Sequence, residues 1–396
     1  MRRTEMDRAM ITRRHFFQGL IGASTFAFIG SLLSACGSNQ EPTRTTVPST
    51  PAFTPATGTS PSPTAVPSPT SAATPTAVPT ISRTRKLKMR VALATEEAGN
   101  FIAVEKGFFK DVGLDVELVT TQGTPGEVIP LVAVGQLDLF SGAIQAALVN
   151  ARTQGVEVTI VAGEGALRRG NVFHAYAVTK QLYDQGVRSV SDLRGRTLAM
   201  PSDAGIDLLE LKKVLESGSL TLDDVKLQLI RLPDMPTALQ NGAVEAAELV
   251  EPYATIATKQ LDAAVPIVAG DAIVDIVGDN FPISVIVVGP PMLKDPALLE
   301  AFLVGYLRGA RYYLQALKDP AVRAEVVAIL KNRTPLKDDK LYEQMTWPGV
   351  SADGTFDIAK LEEAQQLWKQ RGKIQQTVPV DQLVDFRFVT NAAKQI

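Results

Sequence analysis

Residues 85–396 predict an α/β body of two Rossmann-like lobes with a ligand cleft between them. Two observations carry this. Short apolar runs alternate with segments of helical length, which is the pattern of βα units feeding an open parallel sheet. That alternation stops and restarts near residue 190, so the chain contains two such units, and open α/β sheets place ligands beyond the strand C-termini.

The elements follow in order. Residues 1–14 carry Arg2, Arg3, Arg8, Arg13 and Arg14, and an apolar stretch then runs from Phe16 to Ala35. A charged n-region, an apolar h-region and small residues at its end make residues 1–35 a secretory leader. The stretch is near the length of a membrane span, but Gln18, Gly19, Gly22, Ser24, Thr25 and Gly30 dilute it. Residues 36–84 are rich in Pro, Thr and Ser and repeat PTAVP at 63–67 and 75–79. Such a segment buries too little surface to offset its ordering entropy and reads as a linker. A Pro-rich chain of this length reaches on the order of 100 Å.

In the body, residues 86–95 alternate Met89, Val91 and Leu93 and predict a strand running into a polar loop. A helix over 96–109, a strand over 113–120, a helix over 124–135 and a short strand over 137–142 follow. The next elements are a helix over 143–155 ended by Gly155 and strands over 156–163 and 172–179. The second unit opens with a turn, strand and loop over 190–205. Its helix over 206–218 aligns Leu208, Leu211 and Leu215 and stops at Gly218. Strict alternation makes 225–232 a strand. Residues 235–260 give helix, short strand and helix, and 263–270 and 283–289 are further strands. Asp295 caps a last long helix with Pro296 in its first turn and one apolar stripe of Leu298, Leu299, Phe302, Leu303, Tyr306 and Leu307.

Composition excludes several functions. A net charge of −2 argues against a nucleic-acid partner. The single cysteine, Cys36, forms no intrachain disulfide and no thiolate metal cluster. The only histidines are His15 and His174, and His174 lies in an apolar strand where a hydrogen-bonded core role is expected. No G-x-S-x-G elbow, P-loop or H-E-x-x-H is present, so no cofactor and no catalytic residue is expected.

Two segments of the leader resemble known motifs. Thr12-Arg13-Arg14-His15-Phe16-Phe17 resembles the twin-arginine export motif, without the usual Leu and Lys after Phe16. Leu33-Ser34-Ala35-Cys36 resembles the bacterial lipobox, which implies diacylglyceryl transfer to Cys36 and cleavage before it. The mature chain is then anchored to the bilayer on the extracytoplasmic face by its lipidated N-terminus. The segments AVEKGFFKDVGLDVELV (103–119), LVAVGQLDLFSGAIQAAL (131–148), SVSDLRGRTLAMP (189–201), ALQNGAVEAAELVEPYA (238–254) and DPALLEAFLVGYLRGARY (295–312) carry a wider likeness. In order and spacing they resemble the periplasmic-type solute-binding proteins of ABC importers, in the nitrate/sulfonate/thiamine-precursor branch. The resemblance implies a periplasmic-binding-protein type II-like fold and a small-molecule ligand captured by hinge closure. It also implies a membrane permease as partner and a monomeric state. The lobes then divide as 85–179, 180–282 and 283–396, the last returning to lobe one. A sensor that hands its ligand to a receptor fits the same residues. The thiamine-pyrimidine synthase relatives rely on histidines and a cysteine cluster, and relatives of the hydroxymethylbilane synthase fold need a cofactor-tethering thiol; the body lacks both.

The strand-end rule and the resemblance point to the same ligand-binding loops. These hold Thr95, Glu96, Glu97 and Asn100 after the first strand, Gly123 and Thr124 after the second, and Ser141, Gly142 and Gln145 after the third. In the second lobe they hold Ser202 and Asp203, then Glu251 and Tyr253. Plainer roles stand beside these: Ser141 and Ser202 suit helix caps, and Glu251 suits a helix N-terminus. With Glu127 and Asp207 added, the loops are acidic and contain no Lys or Arg. That favours a neutral or cationic ligand, such as a pyrimidine-like nitrogen heterocycle, over a sulfonate- or nitrate-type anion. Arg168 and Arg169 are the nearest basic pair, able to restore anion preference if they reach the entrance. Trp347 suits either the cleft rim or the core.

Overall fold

The computed structural model describes Ile81, residues 83–120 and residues 125–396. The leader, Cys36 and most of the linker lie outside the described residues, as do Gly123 and Thr124.

Thirteen strands are described: β1 (Arg85–Arg90), β2 (Leu114–Val119), β3 (Leu139–Ala143), β4 (Thr159–Gly163), β5 (Gly165–Leu167), β6 (His174–Thr179), β7 (Thr197–Met200), β8 (Lys226–Leu229), β9 (Ala246–Val250), β10 (Ala264–Ala269), β11 (Phe281–Pro282), β12 (Ser284–Val288) and β13 (Gly349–Val350). They form two five-stranded sheets, ordered β2-β1-β3-β12-β4 and β10-β6-β9-β7-β8, and a small sheet β11-β5-β13.

The expected α/β class holds, but the sheets are mixed rather than parallel. β1, β2 and β3 run parallel, whereas the returning strand β12 is antiparallel to both β3 and β4. In the second sheet β7, β8 and β9 run parallel, β6 opposes them, and β10 is antiparallel to β6 and so shares their direction. The antiparallel members include the strand that enters the second sheet, β6, and the one that re-enters the first, β12. β6 was assigned to the first lobe on sequence, but it pairs His174–Val178 with Ala246–Val250 and so belongs to the second sheet. The apolar run that defines it is equally suited to either sheet, and only pairing decides.

Burial explains the strands. β4, β9 and β12 are buried along their whole length, as strands covered on both faces require. The longest described helix, Pro296–Ala316, buries the full predicted stripe, and the Asp295 carboxylate accepts from the Leu298 N–H at 3.2 Å; the helices Pro320–Arg333 and Ala359–Gln370 follow it. It crosses the helix Ala98–Glu105 very closely: a Cβ on Gly309 would lie 2.1 Å from the Gly99 carbonyl oxygen. Tyr306 on the same helix donates to the Gly163 carbonyl at 3.0 Å. This crossing fixes the helix whose first turn follows the cavity-lining Glu96 and its buried neighbour Glu97. Trp347 is core: it is 6 % exposed, its indole N–H donates to the Tyr342 carbonyl, and it packs on Tyr313. No helix of the described residues is long and apolar enough to cross a membrane.

Candidate functional site

The two large sheets face each other across a cavity of about 200 Å³. One wall comes from the end of β1 and the turn after it (Arg90, Val91, Leu93, Glu96) and from the end of β3 (Gly142, Gln145). The other comes from His174 of β6, Pro201 and Ser202 after β7, Asp207, the Arg231–Pro233 turn after β8, and Tyr253 after β9. These are the strand ends where an open α/β sheet presents backbone and polar groups to a ligand.

Direct hydrogen bonds join the walls. The Tyr253 hydroxyl donates to the Leu93 carbonyl at 3.0 Å, and the Thr95 hydroxyl donates to the Glu251 carbonyl at 3.1 Å. On the other flank Ala146 N–H donates to Ala204 O at 2.8 Å, Ile206 N–H to Ile144 O at 2.9 Å, and Ser202 Oγ to Gln145 Oε1 at 3.1 Å. Gly142, at φ 150°, lets β3 pass under Arg90; a Cβ there would sit 2.7 Å from Arg90 Nη1.

Of the loop residues expected to meet a ligand, Glu96, Gly142, Gln145, Ser202 and Tyr253 line the cavity. Thr95, Glu97, Asn100, Ser141, Asp203 and Glu251 do not, and each makes side-chain hydrogen bonds within the protein. Glu251 accepts from Thr255 N–H and Oγ1 and from Thr346 N–H, the helix-capping role open to it on sequence. Burial, opposed by those bonds, pushes it up to about 7. Asp203 pairs with Lys373 at 2.6 Å.

Asn100, Ser141, Glu97 and Glu164 form a buried network behind the first wall. Asn100 Nδ2 donates to Glu97 at 3.0 Å and to Glu164 at 2.5 Å, and Ser141 Oγ contacts both carboxyls. A hydroxyl has one proton and cannot donate to both. Burial, with the Glu97 charge beside it, holds Glu164 well above the carboxylate range. Burial raises Glu97 as well, so a proton held between the two carboxyl groups lets Ser141 bond to both.

The acidic lining read from sequence needs a correction. Arg90 and Arg231 stand on the cavity wall. Arg90 closes β1, so it lies before the polar loop in which contacts were sought. Its guanidinium donates to Ser141 O at 2.8 Å and lies 5.2 Å from the Phe140 ring centre. Burial lowers its basicity, while Glu97, Glu96 and Glu164 act against that. Arg168 and Arg169 do not contribute: Arg168 donates to Asn280, and Arg169 pairs with Asp275 and Asp271.

Four lining residues carry buried polar atoms with no hydrogen-bond partner in the protein: Arg90 Nε, Glu96 Oε2, Gln145 Nε2 and His174 Nε2. Burial and the Glu97 charge push Glu96 up to about 8, so it holds its proton at neutral pH. His174 was expected to be a core residue. It is buried and bonded, with Nδ1 2.9 Å from Glu210 Oε2, but it also faces the cavity. Burial alone would lower its pKa; Glu210 and then Glu248 push it up to about 10. Asp207 rises to about 6 through burial, against the pull of His174. Glu210 and Glu248 escaped the sequence reading. The available signal was a lone acid inside an otherwise apolar strand, AAELV. Among the described residues, His174, Glu210 and Glu248 are the one group of three that places metal-ligating atoms together, within 4.8 Å.

The sequence profile described as NMT1/THI5 like matches residues 94–321. The chain belongs to the NMT1/THI5-like family. No curated protein matches it in sequence. Solved structures match in fold at low identity. The ligand-binding component of an ABC-type import system from Staphylococcus aureus, with zinc bound, has a TM-score of 0.63 at 16% identity, covering 78% of this chain and 99% of that one. The nitrate-binding protein NrtA from Synechocystis PCC 6803 gives 0.61 at 14% identity, covering 79% and 89%. The aliphatic sulphonate binding protein SsuA from Escherichia coli gives 0.57 at 16% identity, covering 75% and 96%. These likenesses assign this NMT1/THI5-like chain the type II-like periplasmic-binding-protein fold.

Proposed function

We propose that this NMT1/THI5-like chain is an extracytoplasmic solute-binding protein of an ABC importer that holds a small nitrogen heterocycle, of the pyrimidine kind, between its two halves. The observation that carries the reading is the set of unpartnered atoms on the cavity wall: Arg90 Nε, Glu96 Oε2, Gln145 Nε2 and His174 Nε2. Buried polar atoms are normally paired, so these four, with Arg90 Nε and Gln145 Nε2 as donors and Glu96 Oε2 as a carboxyl oxygen, call for a ligand that both accepts and donates. An aromatic nitrogen ring does both, and Tyr253 offers a face for stacking. The fold's place among binding proteins supports capture rather than catalysis.

Arg90 favours a second reading, an anion such as a sulfonate or nitrate, which are the ligands named for two of the structural neighbours. One nitrogen of its guanidinium is held by Ser141 O and three carboxyl groups flank it, which supports the heterocycle over the anion, while Arg90 Nε keeps no partner and is open to an acceptor on either ligand. Capture proceeds by closure of the halves about the two crossings between the sheets, and the ligand shifts that equilibrium by its preference for the closed form. Cys36 carries the lipid anchor, and the linker holds the body off the membrane.

The test is uptake of a labelled aminopyrimidine by cells with and without the gene. Loss of uptake on deletion, restored by the intact chain, is expected. Unchanged uptake together with altered signalling assigns the chain to a receptor instead.

A further inference from the structure

We propose that His174, Glu210 and Glu248 form a seat for one divalent first-row transition-metal ion, set into the second half just behind the cavity wall. This does not rest on the solute proposed above; the seat exists whichever molecule occupies the cavity.

The three residues come from three elements. His174 lies on β6 and Glu248 on the neighbouring β9, where Tyr176 is paired with Glu248. Residues opposite one another in an antiparallel pair share a face, and so do residues two apart on a strand. His174 and Glu248 therefore project from the same side of the sheet. Glu210 reaches the same point from the helix Asp207–Ser217, and its Oε2 lies 2.9 Å from His174 Nδ1. Glu248 Oε1 lies 3.5 Å from the same nitrogen.

The side chains of all three are fully buried. Glu248 makes no hydrogen bond through either oxygen, and Glu210 Oε1 makes none. Asp207, one turn earlier on the helix, adds a third carboxyl that interacts with His174 and Glu210. One imidazole and the buried Tyr176 hydroxyl facing three carboxyl groups still leave an excess of acceptors over donors. Desolvated carboxylates are costly unless paired, protonated or bound to a metal. The helix N-terminus offsets part of the charge at Asp207 and Glu210 but lies on another element from Glu248.

The spacing suits a metal. Ligands about 2.0–2.2 Å from a tetrahedral zinc lie roughly 3.3–3.6 Å from one another. The 3.5 Å separation falls in that range, the 2.9 Å separation is a hydrogen-bonded contact that lengthens as an ion replaces the shared proton, and all three ligand atoms lie within 4.8 Å. The donor set, one imidazole and two carboxylates, suits zinc, manganese, iron(II) or cobalt(II). Calcium and magnesium prefer six or more oxygens and commonly keep water. With the ion on Nδ1, the ring proton sits on Nε2, the atom of a residue facing the cavity that has no other partner. A bound ion would thereby fix His174 as a donor toward whatever enters.

The experiment uses the full chain carrying Cys36→Ser, which removes the one thiol. The protein is stripped with a chelator and titrated with Zn²⁺ and with Co²⁺, followed by calorimetry and by visible absorption of cobalt. One equivalent of metal, with cobalt d–d bands and a raised unfolding temperature, is expected. Glu248→Gln and His174→Gln should each weaken binding at least 100-fold, with folding checked by circular dichroism. Absence of stoichiometric metal in the unsubstituted site overturns the proposal without reference to the variants and assigns the cluster to proton sharing. Metal binding that survives both folded substitutions overturns it by placing the ion elsewhere.

Discussion

Glu96 shows how one residue's surroundings set its chemistry. It is 7 % exposed, lies beside Glu97, and titrates at about 8 rather than at its ordinary 4.5. Asp207 and Glu251 move the same way, to about 6 and about 7. Each group binds protons more tightly in the folded chain than in the unfolded one. Stability is then greatest below the unfolded pKa values and falls as pH rises through the folded ones. His174, raised to about 10, adds a contribution of the same sign between about pH 6.5 and 10. The unfolding temperature should therefore fall between pH 5 and 8, and Glu96→Gln should flatten that decline. Scanning calorimetry at several pH values checks this; identical slopes would remove Glu96 from the explanation. Sequence pointed to Glu96, Gly142, Gln145, Ser202 and Tyr253 because strand ends are marked by where apolar runs stop. It could not show which loop side chains turn inward. Ser141, Glu97 and Asn100 bond to one another, and that pairing depends on Glu164, which is distant in the chain.

Among the elements, the crossing of the helices Ala98–Glu105 and Pro296–Ala316 does most to hold the first wall. It needs bare backbone at both Gly99 and Gly309. Gly309→Ala would place a methyl group 2.1 Å from the Gly99 oxygen, so one helix must shift. Overpacking of this kind costs about 1–3 kcal/mol. Urea unfolding should show that loss, with solute affinity reduced as well because Glu96 and Glu97 immediately precede the displaced helix. Unchanged stability would mean that the crossing is not closely packed in solution. The long helix was legible in sequence because its cap, its proline and its apolar stripe all agree. Strand direction was not: β12 reads as an apolar run whichever way it lies, and β6 could have paired in either sheet. Lone charged residues inside apolar strands, His174 and Glu248, were the signals available for the buried cluster. Only β6–β9 pairing brings them together.

At the scale of the whole molecule, the proposed lipid anchor at Cys36 makes a direct prediction. Cys36→Ala should move the chain from the membrane pellet to the soluble fraction, read by fractionation and immunoblotting; continued pelleting would mean that the leader itself is the anchor. The two-sheet body was legible because the βα pattern restarts, and the segments carrying the family likeness span most of it. The ligand was less legible, because Arg90 ends a strand instead of lying in a loop and so escaped a charge count made over loops. The central claim is that the cavity takes a nitrogen heterocycle. Calorimetric titration of the full chain with an aminopyrimidine, an alkyl sulfonate and nitrate tests it most directly. The account predicts one-to-one binding of the aminopyrimidine, weakened by Gln145→Ala. One-to-one binding of the sulfonate or nitrate with none of the heterocycle would contradict it.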